Sequence, residues 1–414
     1  MKQLNWYQIF GKSNIPDGRT VTPTDDIQIW LNCAGIFNKA YTKLAEVLAD
    51  TTTLSALMAS DNAVDYLVRS TTWAAPISVP TMTSNTTPSG VCIANSQYDA
   101  GHAAYKAFDS ETAVCHETAG NASISSYYLG YIFPEATAIN RVKLNATSYN
   151  ASYYYTVAVY GGTSLDDLVK LSDNIKIQGG PTSSDYEAWF ANDTEYTTYV
   201  LKIEESNAST THSVGNYGLL VFMANFYSAS VTTDSNAMTY IGQNNYAADT
   251  LLADPTWCEA ICNSEYFESV LNVSVPTMTS NTTPEGLCTG TNVQSSYPAW
   301  KAFDKDNSTF SATTQVTDCI GYVFTSPVVI KKVATVNRNI TGCAPITFKV
   351  QTTEDGVTWT DLTGALNNNT AQAGSASFVI ENDTAHYGYA LRGITSQTYT
   401  FQLAEINFYG REDV

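Results

Sequence analysis

Short helical and short extended patterns occupy separate blocks of this 414-residue chain. Residues 1–24 are polar and contain Pro16, Gly18 and Pro23, which is typical of an extended segment. From Asp25 the apolar residues recur at spacings of three and four, which predicts amphipathic helix. Shorter helices are predicted over Leu54–Ala59 and Ala63–Val68. The residues of the first helical pattern are Ile27, Trp30, Leu31, Ala34, Phe37, Ala40, Tyr41 and Leu44.

Beyond residue 76 the pattern changes to alternation of apolar and polar residues, which predicts β-strands. Clear examples are Arg141–Ala146, Tyr154–Tyr160, Thr347–Gln351 and Ser377–Ile380, bounded by Gly, Asn, Asp and Pro. Strands at this spacing predict an antiparallel sandwich. The predicted fold class is mainly β, with two jelly-roll β-sandwich modules, a small α-helical N-terminal domain and a helical linker.

One long string occurs twice and defines the organisation of the chain. Ser78–Pro88 and Ser274–Pro284 are identical, and each continues to a glycine and a cysteine. A match of this length indicates a duplicated module. The helical segment after Asp234 echoes the one after Ser60, so each module carries helices before it. These helices are either stacked spacers or an attachment and oligomerisation surface. The predicted domains are 1–76, 77–228, 229–272 and 273–414.

Composition narrows the possible ligands. Charged residues make up 14% of the chain, and the net charge is −19. A protein that neutralises phosphates needs clustered Lys and Arg, which this chain lacks, so nucleic acid is not an expected partner. The surface is rich in Thr, Ser, Asn and Tyr instead, which favours contact with sugars.

The cysteines and the N-terminal residues indicate the compartment in which the chain is made. The chain has eight cysteines, too scattered for a disulfide scaffold, which predicts buried thiols in a reducing compartment. Cys258 and Cys262 are either core residues or a metal-gripping pair. The first residues lack the apolar run of a signal peptide, and no apolar stretch is long enough to span a membrane. We therefore expect synthesis in a cytoplasm and no membrane span.

Four further strings carry a resemblance to a known family. Each module has an aromatic-Lys-Ala-Phe-Asp string, at Tyr105–Asp109 and Trp300–Asp304. The second module continues with Gly321–Phe324, Glu354–Trp359 and Leu403–Gly410. In this order they resemble the discoidin-like (coagulation factor type C) domain and related galactose-binding carbohydrate-binding modules. The resemblance implies a jelly-roll sandwich that binds sugars in loops at one end.

The same resemblance implies a structural Ca²⁺ in the second module only. The first module keeps Asp109 but has Val114 in place of Thr309 and Met223 in place of Glu405. The alternative is that Asp304 caps a turn and Glu405 lies on a solvated strand edge. The implied ligands are the carbonyls of Lys301, Asp306 and Ala404 and the side chains of Asp304, Thr309 and Glu405.

A sugar site needs an aromatic face beside a few hydrogen-bonding groups, and this requirement selects the candidate residues. Each aromatic candidate has packing within the sandwich as its alternative. The candidates in the second module are Tyr297, Trp300, Arg338, Asn339 and Tyr399, and those in the first are Tyr98, His102, His116, Tyr149 and Tyr153.

The sequence offers no pattern of a known catalytic site. The four histidines match no metal-ligand spacing, and no nucleophile elbow, P-loop or dinucleotide fingerprint occurs. We therefore expect a non-enzymatic protein. The chain resembles bacteriophage tail- or head-fibre proteins of the virion that adhere to host-surface or mucus glycans. That resemblance implies docking to other virion proteins through the N-terminal helices, and homo-oligomerisation. The alternatives are a purely structural decoration protein and a subunit of a glycan-active enzyme.

Overall fold

The chain folds into two compact units. The computed structural model describes residues 23–112, 116–117, 127–148, 151–180, 182–192, 194–207, 219–342, 346–395 and 400–412. The first-sandwich unit comprises Thr42–Glu46 and Pro76–Ser230. The helix–sandwich unit comprises the rest, so the second sandwich shares its unit with helices that precede each module. The helices in the described part of the chain are too short and too polar to cross a bilayer.

The helices are short and follow one another closely. Among the described residues five precede the first sandwich, and three more precede the second. The bounds are α1 Pro23–Cys33, α2 Leu44–Ala49, α3 Thr51–Met58, α4 Asp61–Arg69, α5 Thr71–Ala74, α6 Ser235–Gln243, α7 Asn245–Ala253 and α8 Pro255–Asn263. Single 3₁₀ turns lie at Ala100–His102, Ala104–Ala107, Val231–Thr233, Phe267–Ser269 and Ala299–Ala302.

Capping residues that recur every ten residues explain where these helices begin and end. A capping side chain recurs every tenth residue, and in most helices it accepts a hydrogen bond from the backbone N–H three residues later. The residues three and four positions after each cap are buried, and so is the residue seven positions after every cap except Ser70, where Ile77 is exposed. Helices α3, α4 and α5 contact α6, α7 and α8 respectively, so the two helical segments form one layer. The caps are Asp50, Ser60, Ser70, Asp234, Asn244 and Asp254.

The first helix is shorter than its apolar pattern predicts. It ends at Cys33, because Gly35 has φ +75° and the Ile36 N–H bonds the Leu31 carbonyl. This left-handed C-terminal turn closes the helix. Phe37, which continues the predicted apolar face, is therefore 68% exposed.

The first sandwich consists of two antiparallel sheets. One has the order β1-β3-β9-β5-β6 with β7 beside β5, and the other has the order β2-β10-β4-β8. The strands are β1 Val91–Ala94, β2 His116–Glu117, β3 Tyr128–Thr137, β4 Arg141–Ser148, β5 Tyr154–Gly162, β6 Val169–Lys170, β7 Ile175–Gln178, β8 Ser184–Trp189, β9 Tyr196–Ser206 and β10 Leu219–Tyr227.

In the second sandwich the 19-residue strand β14 pairs with strands of both layers, so the strands form one continuous network. Its main order is β11-β20-β14-β19-β15-β16. The strands are β11 Val273–Ser274, β12 Leu287–Gly290, β13 Ser311–Ala312, β14 Cys319–Asn337, β15 Ile346–Thr353, β16 Thr360–Asp361, β17 Leu366–Asn368, β18 Ser375–Val379, β19 His386–Thr395 and β20 Gln402–Glu412. The predicted mainly β fold with two sandwiches is confirmed.

The aromatic side chains of the two cores are packed in equivalent ways. Phe108 lies 6.0 Å from Tyr131, and Phe303 lies 5.9 Å from Tyr322. The phenol of Tyr199 donates to a backbone carbonyl at 2.6 Å, as does that of Tyr389. The duplication seen in the sequence therefore extends to the packing of the interior.

The repeated string builds the same turn in both sandwiches. Asn281 accepts a hydrogen bond from the Trp300 N–H through its side chain, and Asn85 does the same for Tyr105. Gly286 has φ +69°, a conformation that favours glycine. A Cβ there would lie 2.1 Å from the Tyr322 hydroxyl oxygen. The string is thus part of the scaffold.

We expect Gly286→Ala to destabilise the helix–sandwich unit by about 3 kcal/mol, since it combines left-handed strain with a clash in the core. Urea unfolding should show this loss. Gly364→Ala is the matched control, because a Cβ there meets no atom within 4 Å. Equal stability of the two variants would contradict this role for Gly286.

Three cations bind the helical layer to the second sandwich. Lys331 Nζ donates to the Leu252 carbonyl at 3.1 Å, and Lys332 Nζ donates to the Cys262 carbonyl at 2.5 Å. Arg411 Nη1 donates to the Val270 carbonyl at 2.7 Å. Cations at the carbonyl ends of helices are favourable, so this contact is both apolar and electrostatic.

The described cysteines are free thiols, as the sequence predicts. Cys258 and Cys262 are buried on one side of α8. Cys115 and Cys343 lie outside the described residues.

Candidate functional site

A stack of two rings and a guanidinium stands at one end of the second sandwich. The Tyr297 and Phe310 rings stack with centroids 4.4 Å apart. The Arg338 guanidinium carbon lies 3.5 Å from the Phe310 centroid, and Arg338 Nη1 donates to Gln402 Oε1 at 2.5 Å. Tyr297 and Arg338 are half-buried. Ring edges beside a fixed cation can contact the C–H face and the hydroxyl or carboxyl oxygens of a sugar.

The other predicted sugar residues of this sandwich are placed differently. Asn339 is exposed beside Arg338. Trp300 is partly buried against the core, and Lys301 Nζ lies 5.8 Å from its ring centroid. Tyr399 lies outside the described residues. The stack therefore unites only Tyr297 and Arg338 of the predicted set.

A second cluster, of oxygens, surrounds the Thr309 hydroxyl. Thr309 Oγ1 lies 2.7 Å from Asp304 Oδ2 and 3.3 Å from each of the Lys301 and Asp306 carbonyl oxygens. These are four of the six predicted calcium ligands. The turn after Phe303 folds back on itself, which brings them together.

The fifth predicted ligand, Glu405, is a buried carboxyl group with no hydrogen-bond partner. Its side chain is 3% exposed, and neither oxygen makes a hydrogen bond. Burial, and next the neighbouring Asp304 carboxylate, raise the pKa of Glu405 to about 8, while Lys305 opposes the rise. In its ionised form such a group needs a compensating positive charge. The alternative of a solvated Glu405 on a strand edge is therefore wrong.

The sixth predicted ligand, Ala404, is the extra residue of a β-bulge. Glu405 pairs with Val336 and Leu403 with Asn337, so Ala404 has no partner in the register. A bulge frees a backbone group from the ladder. Among the described residues no three His, Cys, Asp or Glu side chains form a metal-binding group. The donor set therefore consists of two carboxylates, a hydroxyl and carbonyls, a mixture that suits Ca²⁺.

The first sandwich arranges the equivalent turn around an internal cation. Lys106 Nζ lies 3.1 Å from Asp109 Oδ2, and the Glu111 N–H donates to Asp109 Oδ1. Met223 occupies the register position of Glu405, and Val114 lies outside the described residues. The Asp109 carboxylate thus has an ammonium partner within its own turn.

The predicted sugar residues of the first sandwich divide into exposed and buried ones. Tyr98 contacts the His102 ring at 5.5 Å, and His102 Nδ1 lies 2.8 Å from Asp99 Oδ1. This hydrogen bond lowers the pKa of Asp99. Tyr153 packs against the core, and Tyr149 lies outside the described residues.

His116 is fully buried under this end of the sandwich. Its Nδ1 lies 2.9 Å from the His102 carbonyl oxygen, and its Nε2 has no partner. Burial lowers the pKa of His116 to about 4. Its inaccessibility argues against direct contact with a sugar.

The burial of His116 predicts acid sensitivity of the first sandwich. Its pKa is lower in the folded protein than in the unfolded chain, so the unfolded chain binds more protons between about pH 6.5 and 4. The free energy of unfolding should therefore fall by about 3 kcal/mol as pH decreases through this range. Hydrogen exchange of the β3 amides measures this. An equally steep decrease in His116→Gln would contradict the assignment.

Two residues of the stack, Phe310 and Gln402, are absent from the predicted set. Phe310 directly follows the predicted calcium ligand Thr309, so its position was a usable signal. Gln402 is distant in sequence, and the pairing of β20 with β13 and with β14 brings it near Phe310 and Arg338.

Comparison with solved structures finds similar sandwich proteins. A two-domain structure of family 32 carbohydrate-binding modules from Clostridium perfringens ZmpB, in complex with GalNAc, is 13% identical. The alignment covers 83% of this chain and 93% of that chain, with a TM-score of 0.30. The F5/8 type C domain of a Bacteroides fragilis protein is 19% identical over 31% of this chain and 93% of its own, with a TM-score of 0.28.

A third example is the family 32 module of Clostridium perfringens NanJ, in complex with galactose. It is 13% identical over 33% of this chain and 99% of its own, with a TM-score of 0.28. No protein-family model matches the sequence, and no curated protein matches it.

Proposed function

We propose that this chain is a non-enzymatic glycan-binding protein whose second sandwich carries the sugar site. The observation that supports this most is the stack of Tyr297, Phe310 and Arg338. The rings offer apolar edges, and the guanidinium is held by both a ring face and Gln402. A preorganised cation beside aromatic surface is the combination that sugar recognition uses.

The solved structures with bound GalNAc and galactose are the same kind of sandwich, which is consistent with this proposal. We propose further that Lys301, Asp304, Asp306, Thr309, Ala404 and Glu405 hold a structural Ca²⁺. The ion would neutralise the two adjacent carboxylates and fix the turn that precedes Phe310. It would therefore act on the glycan site by positioning, without touching the sugar.

The wider setting that we propose is a bacteriophage virion, where the helical layer would attach the chain to other virion proteins. Weak single sites multiplied over several chains would then supply avidity for host or mucus glycans. The alternatives are decoration without glycan binding and a subunit of a glycan-active enzyme.

A glycan array probed with the full chain in calcium tests the proposal. We expect binding to a restricted set of related glycans. Failure to bind any glycan would favour the decoration role, and cleavage of an array glycan would favour the enzyme role.

A further inference from the structure

In the second sandwich, the outer face of one sheet receives the end of a helix. Lys332 of β14 lies between Val379 of β18 and Tyr409 of β20 in the strand register. The Phe267 ring, just after α8, lies 3.8 Å from Lys332 Nζ and 4.8 Å from the Tyr409 ring. Lys332 Nζ also bonds a carbonyl of the last turn of α8. This face therefore recognises a helix end followed by an aromatic residue.

The first sandwich has the same face with larger side chains. In its register Arg141 of β4 lies between Trp189 of β8 and Tyr227 of β10, so Arg141 corresponds to Lys332. We call Trp189 and Tyr227, with Arg141 between them, the aromatic row. The Arg141 guanidinium carbon lies 4.5 Å from the Trp189 centroid and 5.4 Å from the Tyr227 centroid. Arg141 Nε also donates to Glu187 at 2.7 Å.

The aromatic row keeps a large indole at the surface. Trp189 is 49% exposed although Arg141 lies against its ring. Trp, Tyr and Arg, the three residue types of this row, are the ones enriched where binding energy concentrates in protein interfaces. The guanidinium holds the indole in place, so little conformational freedom remains to be lost on docking.

A matching helix end is exposed elsewhere in the chain. Phe267 lies four residues after the last residue of α8, and Phe37 lies four residues after the last residue of α1. Both helices begin at a proline, and each anchors a buried tryptophan to a carbonyl of α4, Trp30 to Ala63 and Trp257 to Leu67. Helix α1 thus shares these features with α8, although in the ten-residue recurrence of capping residues the counterpart of α8 is α5. Phe267 packs on the second sandwich, whereas Phe37 is 68% exposed.

We propose that Phe37 and the end of α1 in one copy of this chain dock on the aromatic row of a second copy. The contact reproduces between chains the interface that α8 and Phe267 form with the second sandwich inside one unit. Phe37 packs on the exposed part of the Trp189 indole. Reciprocal docking gives a closed dimer, and sequential docking gives a ring if the rotation between copies closes. This inference is independent of the glycan site.

Sedimentation velocity of the full chain over a dilution series tests the docking. We expect concentration-dependent self-association, weakened at least tenfold by Trp189→Ala and by Phe37→Ser, as for residues that dominate an interface. Val169→Ser and Val357→Ser are the controls, because both residues are exposed apolar side chains in the same two units. They should leave the association unchanged.

Cross-linking locates the contact directly. Phe37→Cys chains mixed with Trp189→Cys chains should form a mixed disulfide dimer under mild oxidation, above the background of the unsubstituted chain. A monomer at all concentrations, or self-association that neither variant weakens, would overturn the proposal. So would a Trp189→Ala variant that loses glycan binding while its self-association is unchanged, since the indole would then be a sugar platform.

Discussion

Replacing Glu405 by Gln should abolish the calcium-dependent stabilisation of the helix–sandwich unit. Saturation of one site at a hundredfold excess over Kd adds about 2.7 kcal/mol to the free energy of unfolding. For a unit of this size that corresponds to a Tm increase of roughly 5–10 °C. The amide keeps the shape of the side chain but lacks the charge that a hard cation requires.

The same substitution should have the opposite effect in a chelator. Without an ion, the buried Glu405 carboxylate has no hydrogen-bond partner and lies near Asp304. Its ionisation in the folded state is unfavourable, which is why its pKa is raised to about 8. Gln removes this cost at pH 9, so the variant should then be more stable than the unsubstituted chain.

Thermal unfolding in calcium and in chelator, at pH 9, measures both effects. Glu381→Gln is the control, because Glu381 is exposed on the same sandwich and should respond to calcium like the unsubstituted chain. A calcium response that survives in Glu405→Gln would show that the ion, if bound, lies elsewhere.

Arg338→Ala should reduce glycan affinity about ten- to a hundredfold. Hydrogen bonds to a charged group contribute roughly 1.5–3 kcal/mol, which corresponds to that range. The substitution also removes the group that lies over Phe310 and bonds Gln402. Titration calorimetry with the glycan that binds best on the array measures the change.

Arg392→Ala is the matched control for Arg338→Ala. Arg392 is an exposed arginine of the same sandwich whose Nε donates to the Thr317 carbonyl. Its removal should leave the affinity unchanged. Equal losses in the two variants would indicate a nonspecific charge effect and contradict the assigned site.

The duplication and the sandwich fold could be predicted because they depend on local patterns. The repeated string, the strand alternation and the aromatic-Lys-Ala-Phe-Asp turns each extend over few residues. Four calcium candidates also lie within one turn, at Lys301, Asp304, Asp306 and Thr309, so their proximity follows from the chain itself.

What could not be predicted depends on long-range pairing. Gln402 meets Arg338 across 64 residues, and Trp257 reaches the Leu67 carbonyl across 190. No local pattern reports such contacts. The end of α1 at Cys33 was missed because the apolar spacing continues past Gly35, where the backbone turns left-handed. The spacing of apolar residues alone does not predict that turn.

Hydrogen exchange of the full chain in calcium, with and without the glycan selected by the array, tests the glycan site most directly. We expect protection confined to the second sandwich, in the segments around Tyr297, Phe310 and Arg338. Protection confined to the first sandwich, or binding without protection of these segments, would contradict this assignment.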